Sequence, residues 1–380
     1  MNKSPIRADR GLLSRSECHA LRGLAILGIF LHNYCHWLGP AVKENEYQFF
    51  RSNVEGLRHA LGCPDTWLPV HLISFFGHYG VPVFLFLSAY GLTMKYERTR
   101  RRYDDPQPRD ASVAAFVRFH FLKLFRMMIV GFVAFTMLDA ITRGSHTYHL
   151  MDIMAQMGMF NNLLPTPDRI IWPGPYWFFG LMLQLYIVYR LLLFRRHWTV
   201  TVGLMVVCTV IQMACDPESE ALNRWRYNFV GGMLPFSAGL LYARYATGLL
   251  SWRDGVGHAR FDTLNLMVSV VLIFLLSFNY WTWYLVPLCV CSASIACVRL
   301  VGETPWLDGV GRILVWTGSL SAALFVCHPI TRKIFIPISH HGDVYAGLLL
   351  YVIASLCLAW LVALLMEKIP SPTLKKPKEA

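Results

Sequence analysis

Long apolar runs separated by short polar loops dominate this chain and restrict it to a membrane fold. Ten runs predict membrane spans, namely 20–37, 74–94, 119–140, 176–193, 200–214, 229–245, 264–280, 281–298, 313–329 and 345–366. Only 15% of the 380 residues are charged, whereas a soluble domain has about a quarter. The pattern predicts an all-α polytopic helical bundle in the lipid bilayer, with about ten transmembrane helices.

The domain organisation follows from the same runs. Residues 1–19 are polar and basic and form a predicted cytoplasmic amino-terminal segment, and 20–369 form one transmembrane domain. Residues 370–380 form a basic tail that is expected to be disordered. No small-residue cleavage site follows the first run, so this run is expected to stay as an anchor.

Basic residues predict the orientation of the bundle. With both termini in the cytoplasm, 26 of the 35 Lys and Arg residues fall on the inner side and 9 on the outer side. The same asymmetry accounts for the net charge of +12, so nucleic-acid binding is not expected.

The opening stretch, RGLAILGIFLHNYCHW, carries chemistry in an apolar setting. Arg22 begins it, and His32 and His36 lie near its far end. At about 1.5 Å per helical residue, Arg22 and His32 are about 15 Å apart along the axis. A histidine at this depth is costly in lipid, so it is expected to face protein or water.

Histidines are the main candidates for catalysis within the membrane. In the predicted topology, His32, His36, His71, His78 and His328 all lie in the middle or outer half of the membrane. A near-neutral imidazole can take a proton from a hydroxyl, although each histidine alone could merely hydrogen-bond a neighbouring helix. Because Asp and Glu are nearly absent from the spans, we expect neither a metal at His32 and His36 nor paired-carboxylate chemistry.

The basic run that precedes the third span divides into two parts. Residues 95–102 are typical of a solvated inner loop, whereas Arg118, Lys123 and Arg126 lie at or inside the start of the span. Cations in that position can bind phosphate at the inner membrane face.

Four segments, taken in order, resemble the membrane acyltransferase 3 family. They are GVPVFLFLSAYGLTMKYE (80–97, with Ser88), RFHFLKLFRM (118–127), GPYWFFGLMLQLYIVYRLL (174–192, with Trp177 and Gln184) and SLSAALFVCHP (319–329, with His328). The opening Arg22 and His32 also resemble the first span of that family. Two positions depart from the pattern. Met182 stands where many members have Glu, and Arg22 and His32 are ten residues apart instead of eleven.

The resemblance implies transfer of an acetyl or other acyl group from cytoplasmic acyl-CoA to a glycan hydroxyl outside a bacterial inner membrane. It implies catalytic roles for His32 and Arg22, with His32 acting either as a base on the acceptor hydroxyl or as a brief carrier of the acyl group. Substrate-binding residues would be Arg118, Lys123, Arg126, Ser88, His36, Trp177, Gln184 and His328. Acetyl-CoA would be a co-substrate, and a homo-oligomer stays open. The alternatives are a transporter or channel that uses the histidines as a proton relay, and a non-catalytic scaffold.

The predicted orientation can be tested by cysteine labelling. In a cysteine-free variant, a single cysteine placed within 98–109 should be shielded from impermeant thiol reagents in intact cells. A single cysteine near Asn53 should be labelled, because that loop carries few basic residues and is predicted to be external. The reverse pattern would overturn the orientation.

Overall fold

The computed structural model describes residues 12–98 and 111–373, and this part of the chain is helical without a strand. The predicted amino-terminal segment up to residue 11, the basic loop 99–110 and the tail from 374 lie outside the described residues. The α-helices are α1 (Arg15–Cys35), α2 (Arg51–Gly62), α3 (Leu68–Phe76), α4 (Gly80–Thr93), α5 (Val113–Ile141), α6 (Leu150–Gly158), α7 (Pro167–Ile170), α8 (Trp177–Val188), α9 (Trp198–Met213), α10 (Glu220–Tyr227), α11 (Phe229–Tyr245), α12 (Thr247–Val256), α13 (His258–Ser277), α14 (Tyr280–Trp283), α15 (Val286–Glu303), α16 (Asp308–Ser319), α17 (Ser321–His341) and α18 (Val344–Lys368).

Six helical stretches of the described chain are long and apolar enough to cross a membrane. They are Leu68–Arg98, Val113–Ile141, Gly174–Leu193, His258–Ser277, Val286–Glu303 and Val344–Lys368. The chain is therefore a polytopic, all-helical membrane protein. The count of ten spans and the orientation of the termini stay predictions.

The predicted span 313–329 is not one straight helix. It falls on α16 and α17, which meet at a bend of 78° and could serve together as a seventh span. Leu320 is the single residue between these helices, and Pro329 and Pro337 lie inside α17. The apolar run alone does not reveal the bend, because both sides of it are equally apolar.

Helix α1 is the central element that positions the site. Its start is fixed by a capping box, in which Ser14 Oγ accepts from the Glu17 amide and Glu17 accepts from the Ser14 amide. The helix packs against α3, α4, α16 and α17 and continues unbroken through Gly28. The side chains at the two ends of α1 therefore face different helices.

Glycines let α1 approach the second membrane-spanning stretch closely. A Cβ atom on Gly77, between α3 and α4, would lie 2.6 Å from the Gly28 carbonyl oxygen and 2.6 Å from His32 Cβ. A Cβ atom on Gly80 would lie 2.2 Å from the Ala25 carbonyl oxygen. The missing side chains therefore bring the end of α3 directly against His32.

Replacing Gly77 by Ala should destabilise the protein and displace His32. The added methyl group would meet backbone and a β-carbon, neither of which can rotate away, and overpacking of this kind costs about 1–3 kcal/mol. Thermal unfolding of detergent-purified protein measures the loss. Gly91→Ala is the matched control, because a Cβ atom there meets nothing within 4 Å. Equal unfolding temperatures for both variants would contradict the close approach.

Candidate active site

Three histidines meet where α1 passes the turn between α3 and α4. The ring centroids of His32 and His36 are 4.8 Å apart, as expected for residues one helical turn apart, and those of His32 and His78 are 5.6 Å apart. His32 and His78 are each only 3% exposed. Two distant segments of the chain therefore place their imidazoles in one cluster.

The tautomer of His32 is fixed by a backbone hydrogen bond. Its Nδ1 lies 2.8 Å from the carbonyl oxygen of Ser74, which can only accept, so Nδ1 carries the proton. In the neutral ring, Nε2 then has a free lone pair. This arrangement leaves a proton acceptor on the other side of the ring.

Glu44, from the loop between α1 and α2, completes the cluster. Its Oε1 lies 3.2 Å from His36 Nδ1 and 4.0 Å from His32 Nε2. Burial alone would raise the pKa of Glu44, but the imidazoles of His32 and His36 outweigh it and hold the pKa below its ordinary value. Glu44 is therefore an anion beside His32, and it can stabilise an imidazolium that forms there.

Helix α3 holds the Glu44 loop in place. The amide of Val42 donates to His71 Nδ1 at 3.2 Å, and Ser74 Oγ donates to the carbonyl oxygen of Val42 at 2.6 Å. His71 thus has a structural role, which differs from that of the other histidines. Ser74 orients both partners, since its carbonyl oxygen bonds His32 and its hydroxyl group bonds the loop.

The cluster opens into a cavity of about 270 Å³. Its polar wall consists of His32, Asn33, His36, Glu44, Glu46, His78, Asp168 and Arg332. Its aromatic wall consists of Trp37, Tyr47, Trp172, Trp177, Phe178, Tyr227 and Phe325. Burial, reinforced by the Glu44 charge, raises the pKa of Glu46 to about 8. A polar wall facing an aromatic wall suits a ligand that has both hydroxyl groups and a ring face.

Two more predicted residues lie at or beside this cavity. Trp177 lines it, with its ring centroid 5.4 Å from that of Tyr47. His328 is fully buried next to Phe325, which lines the cavity, and its Nε2 has no hydrogen-bond partner among the described residues. The structure thus places Trp177 in the wall and His328 one side chain away.

Gln184 does not join the cavity. Its Nε2 donates to Asn228 Oδ1 at 2.8 Å, and its Oε1 accepts from the Phe229 amide at 2.9 Å, at the start of α11. It lines a separate cavity of about 490 Å³. Met182, at the place of the family carboxylate, is buried in the apolar core.

Arg22 lies in the amino-terminal half of α1, within a second cluster of polar side chains. It interacts electrostatically with Lys123 and with Tyr186, whose hydroxyl lies beside that of Ser88. The structure therefore places Arg22 with Ser88 and Lys123, not with His32. Because α1 is unbroken, the ten-residue spacing turns Arg22 and His32 about 80° apart.

Arg118 and Arg126 are placed differently from Lys123. Arg126 donates to the carbonyl oxygen of Met366 and to Ser371 Oγ, so it caps the carboxyl end of α18. Arg118 and Lys123 are both exposed on α5, but only Lys123 of these two interacts electrostatically with Arg22 among the described residues. Of the predicted phosphate-binding residues, only Lys123 is shown near Arg22.

The position of Glu44 removes one reason for the expectation that no metal binds, namely the lack of a nearby carboxylate. The ligand atoms of His32, His36 and Glu44 lie within 4.8 Å of one another, so carboxylates are not scarce at this place. Tetrahedral zinc with bonds of about 2.0–2.2 Å requires ligand atoms about 3.4 Å apart. The distance of 4.0 Å between His32 Nε2 and Glu44 Oε1 is longer than this zinc ligand spacing. The absence of a metal stays a prediction.

The fold and the cavity define a polytopic membrane protein with a buried histidine–carboxylate site. The model of the acyltransferase 3 family, described as an acyltransferase domain, matches residues 16–366. The chain belongs to this family, which confirms the resemblance seen in the sequence and makes the protein a membrane acyltransferase. No curated protein and no solved structure was found to match it.

Proposed function

We propose that this protein transfers an acetyl or similar acyl group from cytoplasmic acyl-CoA to a hydroxyl group of an extracytoplasmic glycan, with His32 as the general base. The supporting observation is the state of His32. Its Nδ1 proton is bound by the Ser74 carbonyl oxygen, so the Nε2 lone pair is left beside the cavity and the Glu44 carboxylate.

The reaction requires two proton transfers through His32 and the exchange of a carbon–sulfur bond for a carbon–oxygen bond. The acceptor oxygen attacks the thioester carbonyl carbon and gives its proton to His32 Nε2. When the tetrahedral intermediate collapses, the carbon–sulfur bond breaks and the imidazolium protonates the departing thiolate. The products are an O-acyl ester and free CoA, and His32 returns to its neutral form.

The Glu44 carboxylate assists this proton transfer. A separation of 4.0 Å leaves room for an acceptor hydroxyl at hydrogen-bond distance from both His32 Nε2 and Glu44 Oε1. Glu44 also stabilises the imidazolium formed during the reaction, since opposite charges interact strongly where water is excluded. His36, which donates to Glu44, keeps the carboxylate in position.

The donor would bind at the other end of α1. Arg22 and Lys123 form no ion pair among the described residues, so the phosphates of CoA would supply the missing negative charge. Tyr186 interacts electrostatically with Arg22, and its hydroxyl group bonds Ser88. About 15 Å of helix separates Arg22 from His32, and a long flexible pantetheine arm suits this separation.

The acceptor would be a sugar. Aromatic rings such as those of Trp177 and Tyr47 can stack on a sugar ring, while the polar wall bonds its hydroxyl groups. The enzyme would work in the inner membrane of a bacterium, as the family resemblance implies.

Replacing His32 by Gln should lower acyl transfer by about 10²–10⁴-fold, which is the usual contribution of a general base. Purified protein in liposomes is assayed with labelled acetyl-CoA and extracted surface glycans. His36→Gln should cost less, because His36 only supports Glu44, and His328→Gln should be intermediate. His59→Gln is the control, since His59 is exposed on α2.

Two outcomes would contradict the proposal. Unchanged transfer in the His32→Gln variant would remove His32 from the role of base. Solute flux that needs no acyl-CoA, without any release of free thiol, would favour the transporter.

A further inference from the structure

Arg332 is a buried cation in the wall of the cavity. It lies on α17, one turn after His328, and is only 7% exposed. The guanidinium shares the cavity with His32 and Glu44. In the topology predicted from the sequence, Arg332 is one of the 9 basic residues on the outer side.

The contacts of Arg332 are weak for a buried charge. Its Nη1 lies 3.4 Å from both the carbonyl oxygen and Oδ1 of Asn33, which is long for a charged hydrogen bond. Its Cζ lies 4.9 Å from the centroid of the Trp37 ring. Among the described residues, no carboxylate forms an ion pair with Arg332.

The other buried arginines of the described chain are paired. Arg253 lies 2.6 Å from Asp262, and Arg299 lies 3.5 Å from Glu17. These two and Arg332 are the arginines there that are more than nine-tenths buried. Because an uncompensated buried charge is costly, the exception at the cavity indicates that the counter-charge comes from a ligand.

We propose that Arg332 binds an oxyanion on the acceptor, either a carboxylate or a phosphate carried by the sugar. The inference rests on the proposed function for the identity of the acceptor as a glycan. A guanidinium matches either group with two parallel hydrogen bonds, and the Trp37 ring beneath it restrains its plane. The acceptor class is therefore an acidic glycan.

The acidic group and the reactive hydroxyl would bind different parts of the cavity. Arg332 and Asn33 form one part, and His32 with Glu44 forms the other. Glu44 lies in the same cavity, but among the described residues its ion-pair contacts are with His32 and His36 and not with Arg332. One sugar residue can then place its anion on Arg332 and a hydroxyl beside His32.

Binding of matched sugars tests the proposal without any acyl donor. The probes are a galacturonate trisaccharide, a galactose trisaccharide and galactose 6-phosphate, each titrated by thermophoresis against purified protein in detergent. We expect at least one acidic probe to bind about ten-fold or more tightly than the neutral trisaccharide, as a charged hydrogen bond allows. Comparison of the two acidic probes separates carboxylate from phosphate.

Arg332→Gln should remove this preference, so that the acidic and neutral sugars bind with similar affinity, whereas Arg332→Lys should keep part of it. Arg51→Gln is the matched control, because the Arg51 side chain is 87% exposed on α2. Size-exclusion profiles and unfolding temperatures identify variants that fail to fold. If Arg332→Gln fails to fold, Arg332→Lys still tests the proposal.

Several results would overturn the proposal. They are equal binding of acidic and neutral probes, no binding of either acidic probe, and a preference that survives in Arg332→Gln. Slower acyl-CoA hydrolysis in Arg332→Gln without acceptor would also overturn it, because Arg332 would then stabilise the thioester oxyanion. If Arg332-dependent anion binding is found but no acyl group is transferred, the proposed function fails and the anion site stands.

Discussion

The hydrogen bond between His32 Nδ1 and the Ser74 carbonyl oxygen is the interaction on which the site depends. It forms because Gly77 and Gly80 let the second spanning stretch approach α1 without side chains between them. The same α3 surface holds the Glu44 loop through His71 and Ser74. One close helix contact therefore sets the tautomer of His32 and the position of the neighbouring Glu44 carboxylate.

Helix α1 joins two polar regions of different composition. One end has Arg22 near Lys123, Ser88 and Tyr186, and the other has the histidine–carboxylate cavity. Because the helix is unbroken, these regions face different neighbours about 15 Å apart. Such a division suits a reaction whose two substrates approach from opposite sides of a membrane, and in the proposed function Arg22 would lie on the donor side.

The sequence was sufficient to predict the helical membrane fold and the burial of His32, since both depend on the local apolar pattern and on family motifs. Glu44 could not be predicted, because its loop lies outside the apolar runs and is placed by tertiary contacts with α3. The role of Arg332 was missed for a related reason. A basic residue near a predicted span end looks like a surface charge until α17 packs against α1 and buries it beside Asn33 and Trp37.

A double-mutant cycle on His32 and Glu44 tests the central claim most directly. Acyl-transfer rates are measured for the parent protein, His32→Gln, Glu44→Gln and the double variant. If the carboxylate acts by stabilising the imidazolium of His32, removing Glu44 should cost activity in the parent and almost nothing once His32 is gone. Additive losses would contradict the account, because they would mean that Glu44 and His32 act independently.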